Sequence, residues 1–179
     1  MAMHLNIGQK VAYPNQGICL VEEIEQRAVG ERLLFGYSLR VLGDNSTIFV
    51  PTENAANVGL RPIISSRQCR ELIDILSDDF EPIPEDWKTR SRQFSEKLHS
   101  GDVFQAADVL KKLTFLSYEK KLSFREQTML EKAKYLIISE VTNAERGERF
   151  GTEAEIRHLV ESACIKHRGR NGLTIAVVH

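Results

Sequence analysis

The chain has 179 residues, of which 42% are hydrophobic and 27% charged, and its formal net charge is −1 at pH 7. This length fits one large domain or two small ones, and no apolar run approaches the roughly 20 residues of a membrane helix. Its three isolated cysteines lie outside any metal-ligand spacing, which argues against disulfides and zinc and predicts a reducing, cytoplasmic setting.

Short strands separated by turn residues are predicted over the first sixty residues. The strand-forming runs are 10–14, 17–25, 33–41, 46–50 and, near the end, 58–61. Glycine, asparagine and proline lie between them, as tight turns require. So many short strands in so few residues predict a small SH3-like barrel with a strand edge that needs a partner or protection. Such an edge could also pair with a second copy of the chain.

From Ser65 onward the hydrophobic period becomes that of helices. Asp86 has the character of an N-cap for a helix that starts at Trp87, and Ser123 with Glu126 forms the pattern of a capping box. We therefore predict an α+β protein of two domains. The predicted parts are a Tudor-like or SH3-like barrel at 1–64, an all-helical domain at 65–165 and a frayed tail at 166–179.

Positive charge is concentrated in residues 87–134, which hold 11 Lys and Arg against 6 Asp and Glu. The single tryptophan, Trp87, opens this basic block next to Lys88, Arg90 and Arg92. An aromatic ring among cations can wedge against a base step while the cations hold phosphates. The alternative is a tryptophan that packs on its own domain, beside cations that form an ordinary solvated helix face.

The sequence lacks the motifs of common enzymatic sites. It contains no phosphate loop, dinucleotide fingerprint, HExxH or CxxC, and its five histidines are scattered. No nucleophile has a believable partner. We therefore predict that the protein is not an enzyme and has no cofactor and no metal site.

Short motifs occur in a fixed order along both halves of the chain. The first half carries Ile7-Gly8-Gln9-Lys10-Val11-Ala12-Tyr13-Pro14-Asn15-Gln16-Gly17, and later Val50-Pro51-Thr52-Glu53-Asn54 and Val58-Gly59-Leu60-Arg61. The second half carries Trp87-Lys88-Thr89-Arg90, Ser100-Gly101-Asp102-Val103 and Leu122-Ser123-Phe124-Arg125-Glu126. In order and spacing, these motifs resemble the CarD family of bacterial transcription regulators over about residues 5–145.

The resemblance implies a bridge between RNA polymerase and promoter DNA. The family's N-terminal barrel is similar to the polymerase-interacting domain of the transcription–repair coupling factor and binds the polymerase β subunit. Its helical domain contacts promoter duplex DNA at the upstream edge of the melted bubble, where a tryptophan wedges into the minor groove and favours the open complex. The family has no enzymatic activity, and the resemblance implies a cytoplasmic protein associated with the nucleoid through polymerase.

The resemblance also implies roles for single residues. Trp87 matches the wedge, and the cations that could accompany it on DNA are Lys88, Arg90, Arg92, Arg125, Lys132 and Lys134. The implied polymerase contacts are Arg27, Val41, Ile48, Phe49 and Pro51. Phe49 stands where relatives often carry arginine or a large apolar residue, so it is either an exposed contact or part of the core. Val41, Ile48 and Pro51 either frame the barrel edge or belong to the core.

A protein-interaction adaptor is the main alternative. In that hypothesis the barrel binds polymerase or another protein, and the helices bind a second protein without direct DNA contact. A buried Trp87 favours the adaptor, whereas a Trp87 exposed beside Arg90 and Arg92 favours DNA. A third hypothesis, a small-ligand enzyme, would require a deep polar pocket, and no motif in the sequence indicates one.

Overall fold

The computed structural model describes residues 3–144 and 152–176. Within these ranges the strands precede the helices along the chain. The strands are β1 (Lys10–Tyr13), β2 (Gly17–Val29), β3 (Arg32–Val41), β4 (Thr47–Pro51) and β5 (Arg61–Pro62). The helices are α1 (Ser66–Ser77), α2 (Trp87–His99), α3 (Val103–Glu119), α4 (Phe124–Asn143) and α5 (Glu153–Ala176). The predicted α+β class, with a small barrel followed by helices, is confirmed.

The strands form one antiparallel sheet in the order β4-β3-β2-β1-β5. A register shift between Val21 and Glu23 interrupts the long β2–β3 ladder, which bends and twists the sheet. The core of the barrel comprises inward side chains such as Val11, Val21 and Leu39. The predicted last strand at 58–61 begins later, at Arg61, because a turn precedes it.

The helices enclose a second apolar core, which includes Leu72, Phe94, Leu113 and Ile137. Helices α2 and α4 begin at the predicted N-caps. The Asp86 carboxylate accepts from the amide of Thr89, and the Ser123–Glu126 capping box is complete. None of the helices in the described ranges is long and apolar enough to cross a membrane.

The prediction of a frayed tail at 166–179 is wrong over residues 166–176, which continue helix α5. The buried His167 stacks on Phe80, and these contacts hold the helix against the rest of the domain. The contacts join residues far apart in sequence, so periodicity within the tail could not reveal them. Residues 177–179 lie outside the described part of the chain.

An ion pair joins the barrel to the helices. Arg61, on β5, donates from both terminal nitrogens to the carboxylate of Glu140, which is buried on α4. Arg61 also donates to the carbonyl oxygen of Gly101, and Glu140 accepts from the amide of Ile64. One guanidinium therefore links the last strand, helix α4 and the α2–α3 turn.

Acid should weaken the packing of α2 on α3 through Asp108. Partial burial alone would raise the pKa of this carboxyl, but hydrogen bonds from Lys112 and Lys97 outweigh it and hold the pKa below its ordinary value. Because the folded pKa is lowered, this stabilisation is present above the unfolded pKa of about 3.9 and is lost as the pH falls through the folded value. The free energy of unfolding in urea should therefore be higher for wild type than for Asp108→Asn at pH 7, and the two values should converge at acid pH. The same difference in unfolding free energy at neutral and at acid pH would contradict the proposed contribution of Asp108.

Candidate nucleic-acid and polymerase interfaces

Trp87 is exposed although it lies on the buried side of its helix. By helical geometry, Phe94 and Leu98 point within roughly 20° of the direction of Trp87. Both are buried, whereas Trp87 is 62% exposed. It escapes burial because it is the first residue of α2 and lies beyond the end of the core. The Lys88 ammonium lies 5.9 Å from the centre of its ring.

The Trp87 groove is an open cleft of about 350 Å³ between α2 and the start of α4. Trp87, Lys88 and Arg92 line it from α2, and Arg125 lines it from α4. All three cationic side chains belong to exposed residues. Four of the residues predicted to contact DNA therefore lie together around one concave surface. Glu96 is the acidic residue at this groove, and Ser91 and Ser95 complete its lining.

Arg90 is a structural residue, and the prediction that it contacts DNA is wrong. Its side chain is 5% exposed, and its Nη2 lies 2.8 Å from the carboxylate of Glu126 on α4. Its Nη1 donates to the carbonyl oxygens of Pro84 and Glu85 at 2.9 and 3.1 Å. With these partners the guanidinium has no face left for a phosphate. It ties the segment before Trp87 to the start of α4.

Lys132 and Lys134 lie apart from the Trp87 groove, so the prediction that they extend its basic surface is not supported. Lys132 is half-buried near the barrel, with its ammonium 5.5 Å from the ring centre of Tyr135. Burial lowers the pKa of Lys132, and Asp44 opposes that shift. Lys134 pairs with Glu131 and faces a different cleft between α3, α4 and α5.

Phe124 is an exposed aromatic residue that the sequence argument missed. It is the first residue of α4, next to Arg125, and it is 89% exposed. Lys121, just before α4, is exposed as well. A signal was available, because helical geometry places Phe124 about 180° from the buried Ala133. The predictions for this stretch are a capping box and a DNA contact at Arg125, and they give Phe124 itself no role.

Phe49 lies on the outer face of the sheet, outside the barrel core. It pairs with Ser38 across the ladder, and its ring covers Gly36, where a side chain of any size would meet it. The guanidinium of Arg27 lies 4.8 Å from the centre of the same ring. Arg27 and Phe49 therefore form one half-exposed cation–π patch beside strand β4.

Strand β4 is an edge of the sheet, because it pairs with β3 on one side only. Pro51 is half-buried at its end and faces outward like Phe49. Val41 is 2% exposed in the barrel core, so the prediction that it contacts polymerase is wrong. Ile48 packs against that core from the inner side of β4. The candidate surface therefore comprises the β4 backbone with Arg27, Phe49 and Pro51.

The described residues contain no cluster of three His, Cys, Asp or Glu side chains that could hold a metal ion. Burial raises the pKa of Cys19 and Cys164 to about 11. Both thiols are therefore protonated near neutral pH, which makes them poor nucleophiles and poor metal ligands.

Comparison with known proteins gives concordant matches over both halves of the chain. The family model for the CarD-like/TRCF RID domain matches residues 5–64, and the model for the CarD C-terminal domain matches residues 71–157. YdeB of Bacillus subtilis, named as a candidate transcription factor, is 28% identical over 139 residues, which cover 75% of this chain and 88% of YdeB. The solution NMR structure of the 72-residue N-terminal domain of Myxococcus xanthus CarD is 31% identical, covering 35% of this chain and 83% of that domain with a TM-score of 0.30. The chain belongs to the CarD family, a family of transcription factors.

Proposed function

We propose that this protein stabilises open promoter complexes without catalysing a reaction. In this proposal the barrel, residues 1–64, binds the RNA polymerase β subunit. The helical domain, residues 65–165, binds promoter DNA at the upstream edge of the bubble, and Trp87 wedges into the minor groove there. The exposure of Trp87 in a groove lined by Lys88, Arg92 and Arg125 carries the proposal. The adaptor hypothesis expected a buried tryptophan, so this exposure favours direct DNA contact.

The modest charge of the helical domain fits an assisted form of DNA binding. Residues 87–134 hold 11 basic and 6 acidic residues, and Arg90 has no free face for DNA. Few phosphate contacts give weak, salt-sensitive affinity. Binding to polymerase raises the effective concentration of the domain near the promoter, so weak contacts suffice. The proposal therefore places the protein in the cytoplasm, on the nucleoid, through polymerase.

The edge of a bubble is the favourable place for a wedge. Inserting a side chain between base pairs costs a few kcal/mol of unstacking per step. That cost is lowest where the strands already separate. A wedge of this kind binds the opened promoter more tightly than the closed one, and this difference shifts the equilibrium toward the open complex.

The polymerase contact is proposed for the β4 edge and the adjacent patch. A strand edge with unpaired backbone groups can accept a strand from a partner, which gives affinity through main-chain hydrogen bonds. Arg27 and Phe49 supply a cation and an aromatic surface beside that edge. Arginine is frequent among the strong contacts of protein interfaces, and phenylalanine is enriched in interfaces in general.

Arg27→Glu should weaken binding to RNA polymerase by roughly tenfold, because it reverses a charge and removes the cation over Phe49. The measurement is a titration of purified polymerase with labelled protein. Arg67→Glu, the same charge change on the exposed face of α1, is the matched control and should bind like wild type. Equal affinity of Arg27→Glu and Arg67→Glu would remove Arg27 from the interface.

Arg92→Gln should reduce the salt dependence of DNA binding by about one unit in the slope of log K against log salt, as expected for the loss of one phosphate contact. The full-length protein is titrated with promoter duplex at several salt concentrations. Lys134→Gln removes a cation that faces a different cleft and should leave the slope unchanged. Equal slopes for Arg92→Gln and wild type would argue against phosphate contact in the Trp87 groove.

A further inference from the structure

The second half of α5 extends beyond the part of the chain that the family models match. The matched C-terminal model ends at Arg157, whereas α5 continues to Ala176. This extension contacts the connection between α1 and α2, residues 78–86, which leads directly into Trp87. The proposed polymerase and DNA contacts leave the extension without a role.

His167 is the centre of this contact. It is 3% exposed, and its ring stacks on Phe80 at 4.0 Å between ring centres. The ring of Phe115, on α3, meets it edge-on at 4.9 Å. Its Nδ1 lies 2.7 Å from the carboxylate of Asp79, which can only accept when ionised, so Nδ1 donates. Ring stacking and a hydrogen bond thus hold Asp79 and Phe80 against α5.

Two cations hold the same end of the connection. Arg170, one turn beyond His167 on α5, donates to the carbonyl oxygen of Phe80 and pairs with Asp79, both at 3.0 Å. Lys111, on α3 and 3% exposed, donates to the carbonyl oxygens of Ile75 and Asp78. The end of α1 and the first residues of the connection are therefore bound from α5 and from α3.

The other end of the connection, next to Trp87, is held by Arg90, which also pairs with Glu126 on α4. Arg90 donates to the carbonyl oxygens of Pro84 and Glu85, immediately before the N-cap of α2. Between the two ends, Ile83 packs on the helical core. Pro82 and Pro84 further restrict the backbone. The connection is thus a short, stiff segment with Trp87 at its end.

We infer that the second half of α5 is a brace that fixes the direction in which Trp87 is presented, with His167 and Arg170 as its positioning residues. Neither residue lines the Trp87 groove. They act through the connection, by holding Asp79 and Phe80. The consequence for DNA rests on the proposed function, whereas the effect on the connection and on Trp87 does not.

The brace can be tested on the free full-length protein, because Trp87 is the only tryptophan of the chain. His167→Phe keeps an aromatic ring between Phe80 and Phe115 but removes the hydrogen bond to Asp79. It should speed amide hydrogen exchange at Asp78 and Phe80, whose amides are hydrogen-bonded at the start of the connection, by about tenfold, since a hydrogen bond to a charged group is lost. The time-resolved anisotropy of Trp87 should show a larger fast component in the same variant.

Arg170→Gln tests the same contact from the neighbouring position, should His167→Phe unfold the domain. The matched control is Arg157→Gln, an exposed arginine of α5 whose partner, Glu153, lies on the same helix rather than in the connection. The control should leave both readouts at wild-type values. Unchanged exchange at Asp78 and Phe80 in both His167→Phe and Arg170→Gln would overturn the brace.

Promoter complexes separate the brace from the proposed function. If both are correct, His167→Phe shortens the open-complex lifetime by part of the factor seen with Trp87→Ala, at unchanged affinity for polymerase. If Trp87→Ala has no effect on that lifetime, the proposed function fails. Hydrogen exchange and anisotropy would still show whether α5 positions the connection and Trp87. If Trp87→Ala shortens the lifetime and His167→Phe changes neither exchange nor lifetime, the brace fails alone.

Discussion

Replacing Trp87 by alanine should shorten the lifetime of open promoter complexes by about tenfold or more, because a wedge worth a few kcal/mol is removed. Trp87 is 62% exposed and contributes little to the helical core, so folding should be unaffected. The barrel carries the proposed polymerase contact, so affinity for polymerase should also stay the same. The lifetime is measured after a competitor challenge, with purified polymerase and the full-length variant.

Trp87→Phe is the matched control for this effect. A smaller ring retains part of the stacking surface and should give a lifetime between wild type and Trp87→Ala. An alanine variant that supports the wild-type lifetime, at equal occupancy on polymerase, would contradict the wedge. If the variant lost affinity for polymerase together with the open-complex lifetime, Trp87 would act in polymerase binding rather than at the DNA.

Glu126→Ala should destabilise the protein by about 3–5 kcal/mol. The side chains of Arg90 and Glu126 are 5% and 10% exposed, and removing the carboxylate leaves a buried guanidinium without its counter-charge. The same carboxylate accepts from the Ser123 amide in the capping box at the start of α4, so that half of the box is lost as well. Urea unfolding followed by circular dichroism measures the change.

An exposed pair provides the comparison for Glu126→Ala. Glu71→Ala breaks the pair between Arg67 and Glu71, which lies on the solvent side of α1, and should cost less than about 1 kcal/mol. Replacing Arg90 and Glu126 together by apolar residues of similar size should recover much of the loss, because no charge is then left unpaired. A Glu126→Ala variant as stable as Glu71→Ala would show that the buried pair is dispensable.

The architecture was predictable from the sequence because local patterns encode it. The turn residues between the first strands and the capping residues at Asp86 and Ser123 fix where elements begin and end. Hydrophobic period then separates the strand half from the helical half. These signals need no knowledge of which residues meet in space.

Individual site residues were less predictable because burial depends on contacts between distant parts of the chain. Arg90 belongs to a basic run, yet Glu126 on another helix draws it into the interior. Trp87 shares the direction of Phe94 and Leu98, so periodicity alone predicts a buried ring; its exposure follows from where the core ends. Phe49 faces outward because it alternates along β4 with the inward Ile48 and Val50, and Gly36 on the adjacent strand leaves room for its ring.

In the proposed function, Trp87 opens a base step at the upstream edge of the bubble while the barrel holds polymerase. The most direct test places 2-aminopurine at successive positions along that edge in polymerase–promoter complexes, and compares wild type with Trp87→Ala at equal occupancy. Wild type should raise the emission at one step, through loss of stacking, and Trp87→Ala should not. Emission that is the same with both proteins at every position would contradict the account.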